Sequence, residues 1–348
     1  MGKMMRGAGP RVLVSLLIAV GFVWLLARGG LPLVPRREDL ARIPIWAALC
    51  FVALNLTSNV LRSYRWVFLL RPIAPHVQPT RVLGIGLMGF GAIFLAPLRM
   101  GEVVRPFLLS QDREVSFTQA TGSIVAERVM DGVFLTLATS ASLLAATKVS
   151  PLPSRLGDLP LPLATVPAAV LLATLAFCGL FFAMTAFYLA RGWAQGVTRR
   201  LVGSVSPRAA AWAERTLQQL AQGLSFLRSS KNLAAFVSST VVCWLLAFFA
   251  QWLLLRAAGL PATLAQATAV VGILGLGVAV PAGPGLFGAF QIASFSGLCL
   301  FFPIEDVRAE GTVLVFVSYV SYLGLNVLSL LLGSLVVAAT PRRVAGRV

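Results

Sequence analysis

Long apolar segments alternate with short charged ones along most of the chain. A membrane-spanning helix needs about 20 consecutive, mostly apolar residues. Six segments meet this requirement, and they predict full spans at 12–34, 43–61, 129–147, 162–190, 233–255 and 311–339. The pattern therefore predicts an all-α fold, a polytopic bundle of about six transmembrane helices.

Two further apolar segments are interrupted by proline and glycine. Residues 82–98 are short and end beside Pro97, and residues 266–302 contain VPAGPGLFG at 280–288. Each segment forms either a re-entrant helical hairpin or a pair of complete spans, which would give 8–10 crossings in all. Irregular backbone inside a membrane is buried in protein or lines a wet cavity. Close helix packing through the glycines explains the second segment equally well.

The two interrupted segments resemble each other. Residues 91–101 read GAIFLAPLRMG and residues 275–285 read GLGVAVPAGPG, so an ungapped alignment matches three glycine or proline positions. The matched pairs are Gly91 and Gly275, Pro97 and Pro281, and Gly101 and Gly285. This weak repeat is typical of inverted-topology repeats. We therefore predict one membrane domain over 1–348, with half-repeats at 1–160 and 161–348.

Composition and charge support a membrane protein. Only 12% of the residues are charged and 58% are hydrophobic, whereas about 25% of a soluble domain is charged. The net charge is +17, and the Lys and Arg residues lie mostly at the ends of apolar segments. Cytoplasmic loops and anionic lipid favour this placement, and nucleic acid is not an expected partner.

The basic loops predict an orientation. The N-terminal start, loop 62–81, segment 191–232 and the C-terminal tail are rich in Lys and Arg and poor in acid. We therefore expect both termini on the cytoplasmic side of the cell inner membrane, with 82–126 beginning and ending inside and 266–302 outside. Segment 191–232 either lies as an amphipathic helix on anionic lipid or is an ordinary connecting helix.

Charged residues are concentrated between two apolar segments. Arg99, Glu102 and Arg105 follow Pro97 at helical spacing, and Glu127, Arg128 and Asp131 come shortly after. A charge at the bilayer centre costs about 2.5–3.5 kcal/mol. Arginine beside freed backbone N–H groups is suited to binding phosphate. The alternatives are arginines that mark the membrane boundary and acids that pair internally to lock two helices.

Two other polar segments accompany this group. RSYRW at 62–66 is interpreted as an interfacial anchor in preference to a headgroup site. NLTSN at 55–59 indicates hydrogen bonds between helices. Gln291, about one turn after the second break, is expected to offer a polar group to the same cavity. All predicted lipid-binding residues are Arg62, Arg65, Arg99, Glu102, Arg105, Glu127, Arg128, Asp131, Pro281, Gly283, Gly285 and Gln291.

Cofactor sites are not expected. His76 is the only histidine, the four cysteines show no metal-ligand spacing, and no GxxxxGK(S/T) phosphate loop occurs. We therefore predict neither a metal nor a cofactor, and no catalytic residue.

At the charged segments the sequence resembles a known family. PLRMGEVVRPFLL and the later ERVMD, with RSYRW upstream and PAGPGLFG downstream, are similar to the lysylphosphatidylglycerol synthase transmembrane-region family, also called flippase-like proteins. The resemblance implies an integral membrane domain that moves an aminoacylated or otherwise modified lipid between leaflets. A stand-alone member is expected, without the soluble aminoacyl-transferase domain.

The predicted function is therefore lipid translocation. A headgroup phosphate would dock against Arg99 and Arg105, while the acids hold these arginines or meet a cationic headgroup. One alternative is a membrane-embedded lipid-phosphate transferase that uses Glu127 or Asp131 as a base. Another is a non-catalytic partner of a lipid- or glycan-modifying enzyme, docked through segment 191–232.

Overall fold

A computed structural model describes residues 33–96, 101–153, 162–190, 207–279 and 283–340, with isolated positions 17, 18, 20–22, 24, 25, 28, 155 and 192. Most of the first predicted span, 12–34, lies outside the described residues. The same is true of Pro97, Arg99, Pro281 and most of 191–206.

The described part of the chain is helical and contains no strand. The helices are α1 (Arg37–Leu40), α2 (Ile45–Tyr64), α3 (Trp66–Leu70), α4 (Pro79–Leu95), α5 (Gly101–Ser110), α6 (Phe117–Ala145), α7 (Val166–Leu189), α8 (Pro207–Gly223), α9 (Ser230–Ala257), α10 (Leu264–Gly277), α11 (Ala289–Cys299), α12 (Ile304–Asp306) and α13 (Thr312–Ala339). A π-helical turn, Val307–Gly311, joins the last two.

Five segments are long and apolar enough to cross a membrane. They are Ile45–Leu70, Phe117–Ala145, Leu163–Leu189, Ser230–Ala257 and Ile304–Ala339. They contain apolar side chains that are largely exposed, such as Leu144 at 88% and Leu189 at 76% exposure. In a soluble protein such surfaces are rare. The predicted polytopic α-helical bundle is thus confirmed.

The first interrupted segment is a hairpin of α4 and α5. A Cβ on Gly101 would lie 2.1 Å from the backbone nitrogen of Ile93, and one on Gly89 would lie 2.1 Å from Cγ of Arg105. The two helices therefore run antiparallel in close contact. Helix α5 has 10 residues, a length of about 15 Å, whereas the hydrocarbon core is about 30 Å thick. The length of α5 therefore favours the re-entrant alternative over a pair of complete spans.

The second interrupted segment forms a similar hairpin from α10 and α11. A Cβ on Gly277 would lie 2.4 Å from Cβ of Ala293, and one on Gly297 would lie 3.3 Å from Cα of Val270. Between the helices, Gly285 has a φ of +69°, which glycine adopts without strain. Both interrupted segments thus fold back on themselves.

The two hairpins open on opposite faces of the bundle. On one face, Arg81 at the start of α4 donates to the carbonyl of Thr340 after α13 at 3.1 Å. On the other, Val149 N donates to the carbonyl of Leu300, at the end of α11, at 3.0 Å. The structure thus has the predicted arrangement, in which 82–126 and 266–302 open on opposite sides. Which of the two sides is cytoplasmic stays a prediction.

The element order repeats within the chain. Helix α2, hairpin α4–α5 and helix α6 correspond to α9, hairpin α10–α11 and α13. The packing is reciprocal, because α4 lies along α13, α10 lies along α6, and α2 packs on α9. This arrangement has the form of an inverted repeat. The half-repeat boundaries, 1–160 and 161–348, stay a prediction.

The basic segment contributes α8, which rests on the bundle. A Cβ on Gly122 would lie 2.8 Å from the carbonyl oxygen of Leu220, and Gln119 donates to Gln222 at 2.7 Å. The described part of 191–232 is therefore fixed to the start of α6.

Candidate functional site

Six ionised side chains meet between helices α2, α5 and α6. We call them the charge cluster: Arg62, Arg65, Arg105, Glu127, Arg128 and Asp131. Arg62 is on α2 and Arg65 follows its last residue, Arg105 is on α5, and the other three share one face of α6. Glu127, Arg128 and Asp131 share a face because residues three and four positions apart are neighbours on a helix.

Glu127 is the centre of the cluster. Its two carboxylate oxygens accept hydrogen bonds from Arg105 at 3.1 and 2.8 Å. Arg128 donates to the same carboxylate at 3.3 Å, and a nitrogen of Arg65 lies 3.6 Å away. The side chains of Glu127, Arg105 and Arg65 are fully buried. Such charges are stable in the interior only when they are paired.

Asp131 forms a second link, one helical turn further along α6. It accepts a hydrogen bond from Arg65 at 2.5 Å and one from Nε1 of Trp244 at 3.3 Å. Arg65 also donates to Thr240 at 2.6 Å. These contacts attach α6 to α9 through a residue that follows α2.

Arg105 is not open to a ligand. Its guanidinium carbon lies 4.4 Å from the ring centroid of Trp66 and 4.9 Å from that of Phe90. Both of its terminal nitrogens donate to the Glu127 carboxylate. Gly89 provides the space for its aliphatic part. The expected docking of a phosphate on Arg105 is therefore replaced by a structural role, because its charge is already neutralised. Arg65 is equally buried, so it is not the interfacial anchor expected from RSYRW.

Arg62 has a different environment. Within the described residues its guanidinium makes no hydrogen bond and has no carboxylate within 4 Å. It stacks over Trp244 at 4.5 Å and approaches Phe90 at 5.9 Å. Arg62 is also one of the residues that line a cavity. An arginine held by two aromatic rings, with its donors unused, is prepared to bind an anion.

The cavity has a volume of about 300 Å³ and lies between the two hairpins. Its charged lining residues are Arg62, Arg128 and Asp131. Its uncharged polar lining residues are Asn55, Ser58, Asn59, Thr136, Tyr322 and Asn326. Apolar walls come from both breaks, including Phe94, Val278 and Leu286. Asn55 precedes Arg62 by two helical turns, so their Cα atoms lie about 10 Å apart along α2.

Other predicted site residues lie elsewhere. Glu102 is half-buried in the first turn of α5, and Gly283 and Gly285 are buried at the second break without lining the cavity. The Gln291 side chain accepts from the backbone N–H of Gly288 at 2.7 Å. It caps its own helix, so the expected polar contribution to the cavity is not found. Arg99 and Pro281 are outside the described residues.

Several cavity residues were not expected from the sequence. Three guanidinium groups lie around Phe90, those of Arg62, Arg105 and Arg128, at 5.9, 4.9 and 5.4 Å. Trp244, Tyr322 and Asn326 were also missed. Tyr322 and Asn326 could have been found, because the segment SYVSYLGLN at 318–326 places several polar residues within an apolar span. Phe90 and Trp244 have no such signal, since apolar residues are ordinary there.

No described group of three His, Cys, Asp or Glu side chains is placed to hold a metal ion. The site is thus a mostly apolar cavity with a cationic region. The sequence matches a family profile described as lysylphosphatidylglycerol synthase TM region over residues 12–329. No curated protein and no solved structure gives a significant match to the chain.

Proposed function

This chain belongs to the lysylphosphatidylglycerol synthase transmembrane-region family, and from this premise we propose that it moves a phospholipid between the two leaflets of a membrane. A membrane protein with a lipid-related function follows from the family. Transport, as the specific activity, is supported by the cavity.

The observation that carries the proposal is the Arg62 guanidinium, which has no hydrogen bond and no carboxylate partner among the described residues and lines a cavity between two broken helices. Arg128, which is 28% exposed, lines the same cavity. A headgroup phosphate bound there receives hydrogen bonds from two arginines. Charge-assisted hydrogen bonds of this kind each contribute about 1.5–3 kcal/mol.

The hairpins provide a route. The cavity is lined by Phe94, which precedes the first break, and by Leu286, which lies within the second. The two hairpins open on opposite faces of the bundle. Small movements of each hairpin would expose the cavity to one face at a time, as in transporters built from inverted repeats. The acyl chains stay in the bilayer while the headgroup crosses.

The alternative of a transferase has less support from the geometry. A general base must come within hydrogen-bond distance of the proton that it removes. Glu127 is fully buried and does not line the cavity, and Asp131 already accepts from Arg65 and Trp244. We therefore propose transport without group transfer. The membrane is proposed to be the cytoplasmic membrane, with both termini inside, on the basis of the basic loops.

The test is leaflet exchange in liposomes. The purified chain is reconstituted with fluorescent phospholipid, with and without an imposed pH gradient and membrane potential, and accessibility to a reductant is followed. Wild-type protein should accelerate exchange, and Arg62→Gln should slow it at least tenfold. The control is Arg256→Gln, because Arg256 is an exposed arginine outside the cavity. Equal exchange by Arg62→Gln and the wild type would refute the assigned site, and no exchange under any condition would refute transport.

A further inference from the structure

The charge cluster is not electrically balanced. It contains four arginines and two acids, so it carries a formal excess of two positive charges within the described residues. Glu127 and Asp131 are engaged by Arg65, Arg105 and Arg128. The excess is therefore found mainly at Arg62, which faces the cavity. A buried excess charge is unfavourable until an anion compensates it.

The excess positive charge affects which lipid headgroups the cavity can bind. A lysyl ester of phosphatidylglycerol carries one phosphate and two ammonium groups at neutral pH, a net charge of +1. It would need an acid open to the cavity for its ammonium groups. The only carboxylate that lines the cavity in the described part is that of Asp131, and Arg65 and Trp244 already donate to it.

The remaining polar groups of the cavity are uncharged. Asn55 donates to the carbonyl of Phe51 and accepts from Tyr322, so its amide is used inside the protein. Asn59 and Asn326 line the cavity, and their amide oxygens take part in no hydrogen bond of the described chain. Amide oxygens accept from hydroxyl groups. They suit an alcohol attached to the phosphate.

We propose that the cavity binds an anionic phospholipid headgroup, a phosphate joined to an uncharged hydroxyl-bearing alcohol, and discriminates against aminoacylated headgroups. Arg62 and Arg128 bind the phosphate, and Asn59 and Asn326 accept from the hydroxyl groups. This inference rests on the proposed lipid function and specifies its substrate. The discrimination comes from the long-range field of the cluster, because amide oxygens alone accept from ammonium and hydroxyl donors alike.

Binding to the full-length chain in a non-ionic detergent tests the inference. The probes are dioctanoyl phosphatidylglycerol, its lysyl ester, and glycerol 3-phosphate, a soluble phosphate monoester of glycerol that has no acyl chains. Affinity is measured from thermal stabilisation over a range of probe concentrations. Phosphatidylglycerol should bind at least tenfold more tightly than the lysyl ester, and glycerol 3-phosphate at least tenfold more weakly than phosphatidylglycerol.

Charge variants test whether the excess charge of the cluster causes the preference for phosphatidylglycerol over its lysyl ester. Arg62→Glu removes the excess charge of the cluster and should reduce the preference to less than twofold or reverse it. Arg256→Glu makes the same change in total charge on an exposed residue and should retain the preference. Should Arg62→Glu fail to fold, Arg62→Gln halves the excess and should reduce the preference by an intermediate factor.

The outcomes separate this inference from the proposed function. Equal or tighter binding of the lysyl ester, or no binding of phosphatidylglycerol, overturns the inference. Glycerol 3-phosphate binding as tightly as the lipid would identify a site for soluble anions and also overturn it. Rapid exchange of the lysyl lipid in liposomes would refute the selectivity and leave transport intact. Selective binding without exchange would refute transport and leave the selectivity intact.

Discussion

Replacing Glu127 by Gln tests how the charge cluster is stabilised. The substitution preserves the shape of the side chain and removes its charge. Arg105, fully buried and bonded to both oxygens at 3.1 and 2.8 Å, then has no acid partner in the described chain. Arg128 and Arg65 also lose an acid at 3.3 and 3.6 Å. Breaking a buried ion pair in this way costs about 3–5 kcal/mol.

The assay is reversible unfolding in mixed micelles, from which the free energy of unfolding is obtained. Glu127→Gln should lower it by about 3–5 kcal/mol. The control is Glu310→Gln, because Glu310 pairs with Arg42 at 3.3 Å on the surface, where the side chains are 29% and 50% exposed. An exposed pair contributes about 0–1 kcal/mol, so this change should have little effect.

A double variant measures the interaction between Arg105 and Glu127. Arg105→Met with Glu127→Leu removes both charges and keeps most of the apolar volume. It should be more stable than Glu127→Leu alone, because Arg105 is then no longer buried without its acid. If Glu127→Gln costs no more than Glu310→Gln, or if the two single effects simply add, Arg105 does not depend on Glu127 and the reasoning fails.

Three further predictions concern the ring, the hairpin and the orientation. Phe90→Leu should lower the free energy of unfolding by about 1–3 kcal/mol, since three guanidinium groups lose an aromatic face; the Arg62→Gln background should reduce this loss. Gly101→Ala should lower the melting temperature of the purified protein, because the methyl group meets backbone 2.1 Å away, whereas Gly324→Ala has nothing within 4 Å and should not. In a background with the four cysteines replaced by serine, His76→Cys should react with an impermeant maleimide only from the cytoplasmic side, and Ala309→Cys only from the other; labelling of both from one side would contradict the fold.

Hydrophobicity located the spans better than it located their ends. The span predicted at 43–61 corresponds to helix Ile45–Tyr64, whereas the one predicted to start at 129 begins at Phe117. Glu127 and Arg128 made the part of the sequence just before residue 129 look unsuited to a membrane. Their cost is offset by arginines from α5 and from the end of α2, and apolarity along one helix contains no information about such partners.

The same limit explains the errors at the site. The spacing of Arg62 and Arg65 correctly placed both near the end of a span, but not which of them faces a cavity. Arg65 turns toward Asp131, which is 66 positions later in the chain, and Arg62 turns toward Trp244. Which arginine is neutralised and which is available depends on these long-range contacts. The interruption of the helices was readable from proline and glycine, because their effect on the backbone is local.

The repeat is regular in its backbone and unequal in its chemistry. Ile45 and Ser230 start corresponding helices 185 residues apart, and Pro79 and Leu264 have the same separation.

At this separation the counterpart of Arg62 on α2 is Ala247 on α9, which lines the cavity. The first half therefore supplies the arginines of the proposed phosphate site, and the second supplies apolar wall at the position that matches Arg62. A site with equal charges in both halves would hold two anions or hold one too tightly. In the proposed transport, a headgroup bound by these arginines would stay on the first half while the hairpin of the second half moves past it.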